Sequence, residues 1–233
     1  MGCLTSAMNR HKYVPILFVM TLFSFPARGG ISTSLFRTAC QRPSSGCSCA
    51  TDPNGLSVTC DGNGTSLFPS DLPAPAIKIT LLDYQVSNLN RTDFFGAENL
   101  TELNIINCKI QTLDEWAFDH LQNLHKINLT QNELSVVGKY DFYHLVYLRE
   151  IDLSLNKISY IAGDAFYSLH NLRDVYLFGN PLHCDCEMQR FLNWINLRKE
   201  NVSVVNALCA NSNNTLLNET KDFGICQGEH KAA

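Results

Sequence analysis

The chain has 233 residues, 45% of them hydrophobic and only 17% charged, enough to bury a substantial core and too apolar for a disordered polyelectrolyte. The formal charge of -4, with no run of basic residues, argues against a nucleic-acid partner, which demands a clustered basic face. Ten cysteines in clusters point instead to an oxidising compartment.

In chain order, Arg10, His11 and Lys12 precede an apolar stretch over residues 13–25, and Ala27 and Gly29 offer small side chains just before a cut ahead of Gly30. This order predicts a secretory signal over 1–29, with a core too short for a comfortable membrane span. Cleavage would remove three basic residues and no acid, taking the charge from -4 to -7. No second apolar run of spanning length follows, so no membrane span is expected after cleavage. Four cysteines come next, Cys40, Cys47, Cys49 and Cys60, and residues 56–60 alternate like an edge strand. Neither this cluster nor the late one (Cys184, Cys186, Cys209, Cys226) has paired C-x-x-C knuckles, so crosslinks fit better than zinc. Spacing alone leaves three connectivities open in each cluster.

From Ala76 the chain repeats itself. AIKITLLDYQV, LTELNIINCKI, LHKINLTQNEL, LREIDLSLNKI and LRDVYLFGNPL begin at Ala76, Leu100, Leu124, Leu148 and Leu172, each start 24 residues after the last. Numbering each unit from its start, positions one, four, six and eleven are apolar, and position nine holds Tyr84, Cys108, Asn132, Asn156 and Asn180. Positions four and six lie on one side of a short strand, because side chains alternate with period two, and successive coils stack these strands into a parallel sheet. An Asn at position nine can satisfy backbone groups in the bend that follows. Phe94, Phe118, Phe142 and Phe166 recur in constant register on the return side, as a stacked core requires.

This pattern resembles the extracellular leucine-rich-repeat family. The resemblance implies an α/β solenoid, a right-handed arc of five 24-residue repeats over 76–182 with a parallel concave β-sheet. It also implies a disulfide-bonded cysteine cap at each end, 40–75 and 183–226, leaving a tail at 227–233. Family pairing, first with third and second with fourth, would join Cys40 to Cys49, Cys47 to Cys60, Cys184 to Cys209 and Cys186 to Cys226. In the second cap Phe191, Leu192, Trp194 and Ile195 fall on one helical face that can cover the last coil. Cys108 is expected to be an inert buried thiol, with an intermolecular crosslink as the alternative.

For function, the concave face should be built from positions three and five. Position three reads Lys78, Glu102, Lys126, Glu150, Asp174, alternating in sign until the last step. Glu150, Asp152 and Asp174 make an acidic corner, which Arg149 and Arg173 could neutralise, and Tyr176, Phe178 and Leu155 an apolar one beside it. These six residues are the candidate ligand-binding set. Seven sequons, at Asn63, Asn90, Asn99, Asn128, Asn201, Asn213 and Asn218, are candidate glycosylation sites, and a sugar on Asn128 would stand in the concavity. No nucleophile–base set, phosphate loop or metal motif occurs, and His120 and His144, one coil apart, lack a repeating third ligand. The expectation is a secreted, non-enzymatic protein-binding module without cofactor. The alternatives are a self-associating matrix protein, dimerising through the concave sheet or Cys108, and a soluble or truncated ectodomain of a membrane leucine-rich-repeat receptor.

Overall fold

The computed structural model describes residues 46–69, 72–205 and 207–210. The predicted signal segment, Cys40, Cys226, Asn213, Asn218 and the tail lie outside them.

The 24-residue register is the architecture. Strands β1 (Cys47–Asp52), β2 (Gly55–Asp61), β3 (Ala76–Leu82), β4 (Asn88–Leu89), β5 (Glu102–Ile106), β6 (Thr112–Leu113), β7 (Lys126–Asn128), β8 (Val136–Val137), β9 (Glu150–Asp152), β10 (Tyr160–Ile161) and β11 (Asp174–Tyr176) precede helix α1 (Gln189–Arg198) and strand β12 (Ser203–Val205). One eight-stranded sheet runs β1-β2-β3-β5-β7-β9-β11-β12, and two-stranded pairs β4-β6 and β8-β10 tie the returns together. Ile79, Leu103, Ile127, Ile151 and Val175 are paired coil to coil and fully buried, so the apolar position four forms one interior column. No single coil could bury that edge.

A second column fills the return side. Ring centroids run Phe94–Phe118 5.7 Å, Phe118–Phe142 5.9 Å and Phe142–Phe166 6.0 Å, and the column is closed by Phe68 at one end and by Phe191 and Trp194 at the other. These separations suit aromatic pairs, and each ring also buries large apolar area. Between the columns the asparagines of position nine close the turns. Asn132 donates through Nδ2 to the carbonyls of Ile105 (2.8 Å) and Leu129 (3.0 Å), and its Oδ1 accepts from the N–H of Cys108 (3.0 Å) and Ile110 (3.2 Å). Asn156 and Asn180 repeat the arrangement one coil further each time. One buried amide thus satisfies backbone groups of two coils.

Three local features complete the fold, and the second of them departs from expectation. The returns are not helical: helix among the described residues is limited to α1 and one 3-10 turn, Cys186–Met188, so the solenoid is largely β. Local side-chain bonds favour turns there, since Asp93 accepts from the Asn90 N–H (2.8 Å) and Asp141 from the Gly138 N–H (2.7 Å), offering the backbone an alternative to a helix. Residues 56–60 are not the edge of the sheet. They lie in β2, parallel to β3, while β1 folds back antiparallel and occupies the edge. Finally, the chain leaves each strand through a left-handed residue at position eight, just before position nine: Asp83, Asn107, Gln131, Leu155 and Gly179 all have φ between 55° and 73°. Asp, Asn and Gly tolerate this conformation, whereas Leu155 adopts it against preference.

The flanks are held by disulfides. Cys47 is bonded to Cys60 and Cys184 to Cys209; Cys49 and Cys186 are also disulfide-bonded, and the partners expected for them lie outside the described residues. Helix α1 buries Phe191, Leu192, Trp194 and Ile195 against the last coil. Its approach is so close that a Cβ on Gly163 would stand 2.0 Å from the Arg190 Cβ, which explains a glycine where the coils before it carry Glu115 and Lys139.

Candidate recognition surface on the concave sheet

The concave face is set by strand alternation: with positions four and six inside, positions three and five project outward. Along position three, Lys78 bonds Glu102 (2.9 Å) and Lys126 bonds Glu150 (2.8 Å). Burial alone would lift the Glu102 carboxyl, but hydrogen bonds from Lys78 and Asn104 and the charges of Lys78 and Lys126 hold it below its ordinary value of 4.5. The Glu150 hydrogen bond raises the Lys126 ammonium. The row is therefore two neutral pairs followed by Asp174, which is paired in register with Glu150 on one side and Ser203 on the other. Glu150 is paired with Lys126, and neither Arg149 nor Arg173 forms an ion pair with it.

Position five carries Thr80, Asn104, Asn128, Asp152 and Tyr176 in register. Asn104 donates to Thr80 Oγ1 (3.2 Å) and Glu102 Oε1 (3.0 Å). Asn128 and Asp152 each accept the N–H two residues on, from Thr130 and Ser154, both at 2.9 Å. The Asn128 Oδ1 is thereby fixed while the half-buried residue faces the concavity. Tyr176 is half-buried, and desolvation, with the charges of Asp174 and Glu150, raises its phenol above the ordinary range. The second cap does not cover this corner: β12 lies beside β11 and extends the sheet, leaving Phe178 51% and Leu155 45% exposed. Leu155 rests over Gly179, where a Cβ would meet its Cδ2 at 2.7 Å. The six candidate residues are thus brought to one end of the sheet, the acids and Tyr176 on β9 and β11 and Leu155 and Phe178 at the turns that follow.

Other sites separate. His120 stacks edge-on with Phe95 (5.4 Å), whereas His144 packs on Trp116 (4.9 Å) and pairs with Asp119, itself bound by Arg91. Trp116, Tyr140 and Tyr143 form an aromatic group on the return side; Trp116 and Tyr140 share position seventeen of successive coils, whereas Tyr143 joins them from a different position, which a constant interval does not reveal. Cys108 is a free thiol 1% exposed; desolvation pushes it up to about 11, and its sulfur lies 3.3 Å from the Ile106 carbonyl oxygen. A crosslink to another chain would require opening the coil. Of the sequons, Asn63, Asn90, Asn99 and Asn201 are exposed. Asn99 donates to the Ala74 carbonyl (3.1 Å), and Asn123 and Asn171 make the same bond from their coils, a lateral ladder visible in the sequence only as Asn at position twenty-four.

A sheet strand and a stacked ring recurring every 24 residues define a repeat protein whose concave sheet is suited to ligand binding. A family model described as leucine rich repeat matches residues 98–154 and 122–182, and the coils so matched lie in a solenoid with a disulfide-held flank at each end. Proteins built this way are non-catalytic recognition scaffolds. No curated protein matches the chain. Among solved structures, the chain is similar to TLR13 in its complex with ssRNA13, at 23% identity and a TM-score of 0.56, over 68% of this chain. The match spans 22% of that chain, so the likeness is one of fold over a portion of a longer arc. It also corrects one expectation. Net charge and the lack of a basic run argued against any nucleic-acid partner, yet TLR13 is seen with single-stranded RNA on this same fold. Whole-chain composition does not decide what one face of a solenoid presents. No described helix is long and apolar enough to cross a membrane.

Proposed function

We propose that this chain is a ligand-recognising ectodomain of the leucine-rich-repeat receptor type, in soluble or truncated form, that binds through its concave sheet. The observation that carries the reading is the open corner formed by Glu150, Asp152, Asp174, Tyr176, Phe178 and Leu155, where exposed apolar side chains adjoin acids of which only Glu150 has a lysine partner, Lys126. An aromatic anchor within a polar rim is the composition of a recognition surface. The partial likeness to TLR13 supports the receptor type over a self-associating matrix protein. With this reading go export through a signal at 1–29, flanking caps at 40–75 and 183–226, and glycans on the sequons, Asn128 above all, where a sugar would split the concave face.

The partner class is a protein surface, with single-stranded RNA as a second reading that the TLR13 complex favours. The glycosylated chain is used as bait in conditioned medium beside a Tyr176→Ala/Phe178→Ala form. Partners lost from the variant while its thermal unfolding stays in place support the concave corner. Equal recovery by both forms excludes it. Full-length transcripts that continue past residue 233 into an apolar run would establish the receptor; their absence favours a secreted protein.

A further inference from the structure

The lateral edge where each coil enters the sheet is cationic at its carboxy-terminal end, although the chain as a whole is acidic. Position two of successive coils holds Thr101, His125, Arg149 and Arg173, joined by backbone bonds from Arg149 N–H to His125 (2.8 Å), Arg173 N–H to Arg149 (2.9 Å) and Ser203 N–H to Arg173 (2.6 Å). Strand spacing sets neighbouring arginines about 4.8 Å apart at the backbone. Helix α1 brings Arg198 to the same edge, its guanidinium 3.1 Å from the His170 carbonyl, and Lys199 follows. Between coil and cap lies an open groove of about 580 Å³ lined by His170, Asn171, Arg173, Arg198, Glu200 and Asn201, continued by a second hollow that Lys199 lines. The ion pairs of the described residues fall elsewhere, on Arg91, His144 and the lysines of other coils. Arg173, Arg198 and Lys199 therefore line these hollows against Glu200 and Asp174, and Arg149 continues the cationic row one coil away.

We infer that this edge is a binding site for a linear sulfated glycan. Arginine forks bind tetrahedral oxyanions through paired hydrogen bonds, and a row at strand spacing suits an anion repeated along a chain. The groove has no Phe, Tyr or Trp among its lining residues, and the exposed aromatic nearby, Tyr147, is stacked on His125 at 6.2 Å. Non-specific single-stranded nucleic acid relies on free aromatic faces for its bases, so charge without a stacking platform favours sulfate esters. The site meets the concave corner only at Asp174, and it rests on the proposed export only for where such a glycan is met.

The test uses a heparin octasaccharide and isothermal titration at fixed salt. Arg149→Glu/Arg173→Glu is compared with Lys109→Glu/Lys157→Glu, an equal change of charge on the opposite edge, and with Arg149→Gln/Arg173→Gln should the first variant unfold. The full chain and its Asn201→Gln form are both measured, because a glycan on that sequon would occlude the groove. The expected result is heparin binding that weakens by about tenfold or more on loss of the two arginines and by less than about twofold in the lysine variant. A desulfated octasaccharide should bind as poorly as the arginine variant does. Equal losses in both variants, no heparin binding by either form, or tighter binding of a single-stranded RNA octamer through the same arginines would overturn the assignment. None of these outcomes touches the concave corner, whose Tyr176 and Phe178 remain unaltered.

Discussion

The first two coils and the last three solve the same problem with different chemistry. In the last three, a buried amide at position nine bonds carbonyls of its own and the preceding coil while accepting N–H groups from that coil. In the first two the position holds Tyr84 and Cys108. The Cys108 sulfur takes the amide's place against the Leu81 carbonyl at 3.6 Å, with a 27-residue separation shared by Asn132 and Ile105. Cysteine offers no comparable acceptor, and the Val86 N–H turns to the Cys108 carbonyl instead, at 3.0 Å. What the column requires, then, is a buried turn with its backbone satisfied; the amide is the strongest of several ways to do it.

That difference predicts a ranking of effects. Asn156→Ala should be the most damaging substitution in the ladder, leaving the Leu129 and Leu153 carbonyls and the Leu134 N–H without their partner and costing about 3–5 kcal/mol. Cys108→Ala should cost only about 1 kcal/mol, since a weak sulfur bond and a small volume are lost. Urea unfolding of both variants measures the gap, and equal costs would break the comparison. Native Cys108 should resist iodoacetamide at neutral pH, being 1% exposed and raised to about 11, and should react fully once the chain is unfolded; rapid native labelling would place it at the surface.

On the concave face effects shrink further. Glu102→Gln should change stability by less than about 1 kcal/mol, because exposed pairs contribute little. The sign is fixed: the Glu102 carboxyl is lowered by its partners, so its contribution is present above the ordinary 4.5 and lost as pH falls through the lower folded value. The variant should therefore lose less stability than the parent on acidification; the same slope in both would remove Glu102 from the account. Tyr176→Ala/Phe178→Ala should be smallest of all in stability, within about 1 kcal/mol, while carrying the loss of binding.

Much of this was legible because repetition encodes its own contacts. Leu103 predicts Ile127 as neighbour, and Phe118 predicts Phe142, from a constant interval alone. The concave corner could be assembled for the same reason, Glu150 and Asp174 being one interval apart. Interval reasoning fails where neighbours come from different positions or from the caps. Trp116 meets Tyr140 by like positions but Tyr143 and His144 by unlike ones. Arg149 and Arg173 were read against the acids beside them in sequence, whereas Arg198 joins them only because α1 folds onto the last coil. The antiparallel return of β1 was hidden likewise, since an alternating segment looks the same whether it ends a sheet or sits one strand in.

Because strand exit, amide and ring recur at fixed offsets, any 24-residue unit removed whole would leave a seam in which each column still meets its counterpart. Unequal recombination could therefore shorten or lengthen this protein one unit at a time without damaging its interior. Such length variants would differ in the span of sheet they present, a coarse adjustment of reach available before any surface residue mutates.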